Sequence, residues 1–141
     1  MGTDKASVKL GNDTLLDFQL AQIPSGVPTI VVGDAMAARP EVMFTREDPP
    51  GSGPVAAVSA GLAHTRTSKV VLLAVDAPFA LPQLLRLHLD PDDTALIPQD
   101  LAKKPQYLAG LYRSTALQVA LDRLGDPTNT SMRELITHLP Q

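Results

Sequence analysis

The chain has 141 residues, 44% of them hydrophobic and 19% charged, with a formal net charge of −3. That length suits one domain built round one core, and the composition argues against disorder. The 12 basic residues are scattered, Lys103 and Lys104 forming the only tight pair, so no basic stripe offers itself to a nucleic acid.

The opening stretch, MGTDKASVKLGNDTLL, is polar and loop-like at its start. Asn12 or Asp13 can cap a helix whose apolar face is Leu15, Leu16, Leu20 and Ile23, ended by Pro24, Ser25 and Gly26. Thr29 to Val32 is a β-branched run that reads as a buried strand closed by Gly33 and Asp34, and Val42 to Thr45 reads as a second, shorter one. Between them, Ala35 to Pro40 has no clear period.

A proline- and glycine-rich loop, REDPPGSGP, then switches abruptly to small apolar residues. Pro49 and Pro50 fix an extended path, while Gly51 and Gly53 let the backbone approach something closely. Pro54 suits the first turn of a helix running from Val55 to about His64, small enough to lie close against a sheet. A glycine loop feeding a helix can hold an anion on free N–H groups, but the spacing here is neither that of a P-loop nor GxGxxG.

Val70 to Val75 is the longest apolar run, too short to cross a bilayer and rich enough in β-branched residues to be a strand buried on both faces. Asp76 falls at its carboxyl end and Pro78 stops it. In an open α/β sheet that edge is where ligands bind, so Asp76 either holds a metal or phosphate-bearing substrate or caps the helix that begins near Leu81.

Leu81 to Leu89 has helical spacing, Asp90 to Asp93 is a turn, and Thr94 to Pro98 is strand-like. Gln99 to Pro105 is a polar loop, Gln106 to Tyr112 a strand, and Ser114 can cap a helix from Thr115 to Leu124 that Gly125 ends. Met132 to Leu139 follows Ser131 as a final helix. This alternation predicts a three-layer α/β domain with a mostly parallel sheet. With no cysteine, disulfides and thiolate metal sites are excluded. His64, His88 and His138, each expected on a helix, read as structural or surface residues. No leader or spanning segment is visible, so the chain is expected to be cytoplasmic, with no membrane partner.

With these pieces in order the chain resembles the MobA-like molybdenum-cofactor guanylyltransferases. Met1-Gly2 followed by Asp4-Lys5 is similar to the tail of that family's LAGGxSxRMG loop, and Leu15-Leu16 sits where the family has a double leucine. Glu47-Asp48, Gly53-Pro54-Val55-Ala56-Ala57, Asp76-Ala77-Pro78 and Leu111-Tyr112-Arg113 match its acid, its GPLAGL segment, its D-x-P strand end and its LYR-like triplet. The similarity spans almost the whole chain.

The resemblance implies a Rossmann-like fold of the nucleotide-diphospho-sugar-transferase type, as one domain over residues 1–141. It implies a magnesium-dependent transfer of GMP from GTP to the phosphate of molybdopterin, releasing pyrophosphate. Lys5 would supply a cation to the phosphates, Asp76 an oxygen ligand to Mg²⁺, and Asp48 and Gly53 would hold the nucleoside end. At Gly33, where guanylyl members can place a polar side chain, only backbone is offered. Sibling branches use CTP, or attach GMP to another small phosphate acceptor. A non-catalytic nucleotide-binding or interaction module is the third reading, because the glycine-rich loop is absent.

Relative to the family, the expectation is that the sequence lacks the N-terminal LAGG strand and most of its glycine-rich loop, and the C-terminal segment of the type D-x-[DN]-T-P-E-D-L. A central strand removed from such a sheet leaves buried N–H and C=O groups unpaired, at roughly 1–3 kcal/mol each against a total stability of about 5–15 kcal/mol. The expectation is therefore that the sequence omits residues, that another chain donates a strand within a homo-oligomer, or that the sheet has rearranged.

Overall fold

The computed structural model describes residues 9–10, 13–33, 42–77 and 80–140. In chain order these form β1 (Lys9–Leu10), β2 (Asp13–Thr14), α1 (Leu15–Ala21), β3 (Thr29–Val32), β4 (Val42–Thr45) and α2 (Pro54–Leu62). Then come β5 (Lys69–Leu73), α3 (Leu81–Leu84), β6 (Ala95–Leu96), β7 (Ala109–Arg113), α4 (Ser114–Leu124) and α5 (Met132–Thr137). Strands and helices alternate as an α/β chain requires. The expectations for Lys5, Asn12 and residues 35–40 fall outside the described residues, and Asp13 lies in β2, whose short antiparallel pairing with β1 the polar sequence did not announce.

β3 and β4 pair in parallel, Thr29 opposite Val42 through Val32 opposite Thr45. The second sheet has the order β5-β7-β6, and β7 runs antiparallel to both neighbours. β5 and β6 therefore point the same way, and the inverted member of the expected mostly parallel arrangement is β7. Its inversion has a local cause. The loop between β6 and β7 is a hairpin pinched by pairing of Gln99 with Pro105, and a hairpin can only join antiparallel strands.

Among the described residues no strand joins β3 to β5. β5, expected to be covered on both faces, has Lys69 exposed and Val70 to Leu73 half-buried, and β3 is half-buried throughout.

The core lies on the other flank of β5. Val55, Val58 and Leu62 of α2 meet Tyr112 of β7, Leu117, Ala120 and Leu121 of α4, and Met132 and Leu135 of α5. Leu117, Ala120 and Leu121 follow the three-and-four spacing of a buried helical stripe, and each fully buried leucine contributes about 1.5–3 kcal/mol relative to exposure. Tyr112 is wholly buried and its hydroxyl donates to the carbonyl of Tyr107 at 2.6 Å. Gly61 lets α2 approach β3, since a Cβ there would come within 3.2 Å of the Val32 side chain.

Several element ends follow the sequence. Pro54 opens α2, Gly125 closes α4, and the Ser131 hydroxyl accepts from the Glu134 N–H at 3.2 Å to cap α5. Others differ. Ser114 does not cap α4: it is the first helical residue, and its hydroxyl donates instead to the Thr67 carbonyl at 2.6 Å, tying α4 to the start of β5. α3 stops at Leu84 rather than Leu89, because Arg86 and Leu87 donate to carbonyls three residues back and tighten the chain into turns. Leu89 is nonetheless buried, and the following turn is held by the Arg113 guanidinium on the carbonyls of Asp90 and Asp93. His64 and His88 consequently lie beyond the helices expected to carry them, and His138 sits at the end of α5.

Candidate functional site

Two loops carry the acids and glycines that the sequence singles out. The first joins β4 to α2. Its two acids have different surroundings. Glu47 accepts from the Gly51 N–H at 3.3 Å and lies 3.9 Å from the Arg46 Nε, so its carboxylate is engaged in shaping the loop. Asp48 is exposed, on the chain just before the cis peptide to Pro49.

Further along, Ser52 is only 3% exposed; its hydroxyl donates to the Pro49 carbonyl and its own carbonyl accepts from the Asn129 N–H at 2.7 Å. Gly53 has φ 97° and ψ 177°, a region essentially reserved for glycine. A Cβ there would meet Asn129 Cα at 3.7 Å, an ordinary contact, so the glycine is required by backbone conformation rather than by room. The Gly53 carbonyl accepts from Ala57 and starts α2. The first amides of that helix have no partner within it, which is the arrangement that suits an anion.

The second loop follows β5 at its carboxyl end. The Ala74 N–H donates to the Leu108 carbonyl at 2.8 Å, and the Ala77 N–H returns to the Ala74 carbonyl at 3.1 Å, closing a turn that carries Asp76 exposed. This settles one of the two readings of Asp76. α3 begins after Ala80 with no side-chain cap, so Asp76 does not cap it.

The turn is also gripped from α1. Gln19 is 5% exposed, and its Nε2 donates to the carbonyls of Ala74 at 3.1 Å, Val75 at 3.5 Å and Ala77 at 3.2 Å. Its Oε1 is buried and has no partner among the described residues, a situation that costs roughly 1–3 kcal/mol. Sequence reasoning passed over Gln19 because an amide reads as a surface residue. The available signal was its spacing: it lies three residues after Leu16 and four before Ile23, inside the apolar face of α1.

Asp48 and Gly53 thus share one loop, and Asp76 stands on the other; Lys5 lies outside the described residues. Among the described residues no three His, Asp or Glu side chains cluster. Clefts of about 290 and 280 Å³ are lined by other residues, one at the end of α1 and the amino ends of β3 and β4, the other between α3 and the β6–β7 hairpin. No described helix is long and apolar enough to cross a membrane.

An α/β chain with an acid on the turn after β5 and a glycine loop leading into a helix has the kind of strand-end loops at which open α/β sheets bind ligands. Comparison with known proteins agrees. The family model for the MobA-like NTP transferase domain matches residues 1–141, and the chain belongs to that family. It is a nucleotidyltransferase domain of a class that binds nucleoside triphosphates and generally uses a divalent metal. Its fold is similar to that of molybdopterin-guanine dinucleotide biosynthesis protein A from Archaeoglobus fulgidus, with a TM-score of 0.70 and 24% identity over 98% of this chain and 73% of that one. No curated protein sequence matches the chain.

Proposed function

We propose that the chain transfers GMP from GTP to the terminal phosphate of molybdopterin, releasing pyrophosphate. The observation that carries the reading is the exposed Asp76 on a closed turn at the carboxyl end of β5, in a chain whose whole length matches the MobA-like family. The name of the structural relative supports the pterin acceptor and the guanine base.

In this reaction an oxygen of the acceptor phosphate attacks the α-phosphorus of GTP. One P–O bond forms, the bond from the α-phosphorus to the bridging oxygen breaks, and the electron pair leaves with pyrophosphate. The attacking oxygen already carries negative charge, so no side chain need act as nucleophile. What the protein supplies is positioning and compensation of charge on the phosphate oxygens.

Asp76 would ligate Mg²⁺, with Lys5 adding a cation to the triphosphate. Asp48 and Gly53 would contact the nucleoside end through an exposed carboxylate and an open backbone. When bound, the metal neutralises charge on the phosphates. The donor set suits Mg²⁺, which takes one or two carboxylates and completes its shell with water and substrate phosphates rather than from a cage of protein ligands. The described residues offer an exposed carboxylate and no such cage.

Thermal melts with GTP, CTP and ATP, each with Mg²⁺, test the nucleotide. A ligand at 100 times its dissociation constant adds about 2.7 kcal/mol, and GTP is expected to give the largest rise. Pyrophosphate release with molybdopterin present tests turnover. A larger rise with CTP, or no pyrophosphate from the GTP-stabilised protein, would refute the assignment.

A further inference from the structure

We propose that Gln19 is a positioning residue for Asp76. Its single amide group donates to carbonyls on both sides of that residue, Ala74 and Val75 before it and Ala77 after it. The bond to Val75 holds the peptide that enters Asp76, and those to Ala74 and Ala77 hold the next peptide out on either side, so together they restrict the direction in which the aspartate Cβ leaves the chain.

The rest of the turn cannot do this alone. The Ala77-to-Ala74 bond closes the turn, and the Ala74-to-Leu108 bond ties its first residue to the strand end. Both leave the Val75 carbonyl to the Gln19 amide, while the Ala77 carbonyl is shared between that amide and the Ala80 N–H at 3.2 Å. α1 thereby reaches across the molecule to the end of β5, separated from it by more than fifty residues of chain.

The choice of side chain points the same way. A leucine or methionine would fill this buried place without leaving a buried oxygen, whereas Gln19 keeps an Oε1 with no partner among the described residues. What the amide adds over an apolar side chain is donation to the turn. A turn bonded on both sides of Asp76 narrows the range of directions in which the Cα–Cβ bond of that residue leaves the chain. This inference rests on the reading of Asp76 as a metal ligand.

The test is a titration of the full chain with Mn²⁺ in the presence of GTP, followed by electron paramagnetic resonance, together with circular dichroism to confirm folding. Gln19→Met and Gln19→Leu remove the donors at nearly constant volume. Each is expected to weaken Mn²⁺ binding by about tenfold, the lower end of what loss of a group orienting a metal ligand does. Gln19→His keeps a ring N–H and is expected to recover most of the loss. In an Asp76→Asn background the Gln19 substitutions should add nothing, because the effect acts through the carboxylate.

Folded donor-free variants with wild-type Mn²⁺ affinity overturn the proposal, and so does an undiminished further loss in the Asp76→Asn background. If Asp76→Asn itself binds Mn²⁺ as tightly as wild type, the metal-ligand reading is what has failed. Gln19→Asn, an amide without the reach, carries the same two readings if neither donor-free variant folds.

Discussion

Asn129 donates its backbone N–H to the carbonyl of Ser52 at 2.7 Å, joining the loop before α2 to the loop before α5. The two segments are far apart in sequence, yet the contact falls one residue before Gly53, the position that launches α2. Asn129 itself has φ 54°, a left-handed conformation that asparagine tolerates better than most residues. The loop that carries Asp48 and Gly53 is therefore braced by the C-terminal part of the chain.

Gly53→Ala tests that brace. The added methyl meets only ordinary contacts, but the backbone must leave its glycine-only conformation or bear its strain, about 1–3 kcal/mol. The expected result is a fall of several degrees in melting temperature together with weaker stabilisation by GTP. A variant as stable as wild type would show that the loop relaxes freely.

Asp76→Asn keeps the size of the side chain and removes its charge. On the proposed role of the carboxylate as a metal ligand, pyrophosphate release should drop on the order of 100-fold, with the melting temperature in the absence of ligand little changed because the residue is exposed. Equal turnover by wild type and variant would remove Asp76 from the reaction.

Tyr112 gives a prediction in pH. Burial, with a smaller contribution from Tyr107, pushes its phenol far above the ordinary value of 10.0. The unfolded chain loses that proton near its ordinary value while the folded chain keeps it. Above that pH the folded state binds more protons, so the stability it contributes is complete below about pH 10 and is lost as the pH climbs further. Denaturant titrations at pH 9 and pH 11 should show the decline in wild type and a shallower one in Tyr112→Phe. That variant should also lose about 1 kcal/mol at neutral pH from the missing bond to Tyr107.

Ser131→Ala removes the hydroxyl that accepts from Glu134 at the start of α5. The expected cost is about 0.5–2 kcal/mol, measurable by denaturant titration. It is transmitted to the core because α5 presents Met132 and Leu135 there.

Much of this architecture can be read from the chain. The run ending in Leu73 and Asp76, the Pro54 helix start and the Ser131 cap are local signals, each decided by neighbours within a few residues. The family resemblance likewise rests on short motifs that survive translation into loops: Asp76 on its turn, Gly53 before its helix. Gln19 was hidden for the opposite reason, since its partners lie on a distant segment that periodicity cannot see. The different fates of Glu47 and Asp48 depended on which one the Gly51 N–H would reach. The incomplete cover on β5 was also illegible in its own residues: VVLL reads the same whether a strand has neighbours on one edge or two.

That uneven cover divides the molecule into a firm part and a soft one. The large buried side chains of the main cluster all come from α2 onward, while β3 and β4 keep their side chains half-wetted. Cooperative openings start where few apolar groups must be exposed. In deuterated water the amides of Ile30 to Val32 should therefore surrender their protons well before those of Leu111 and Tyr112.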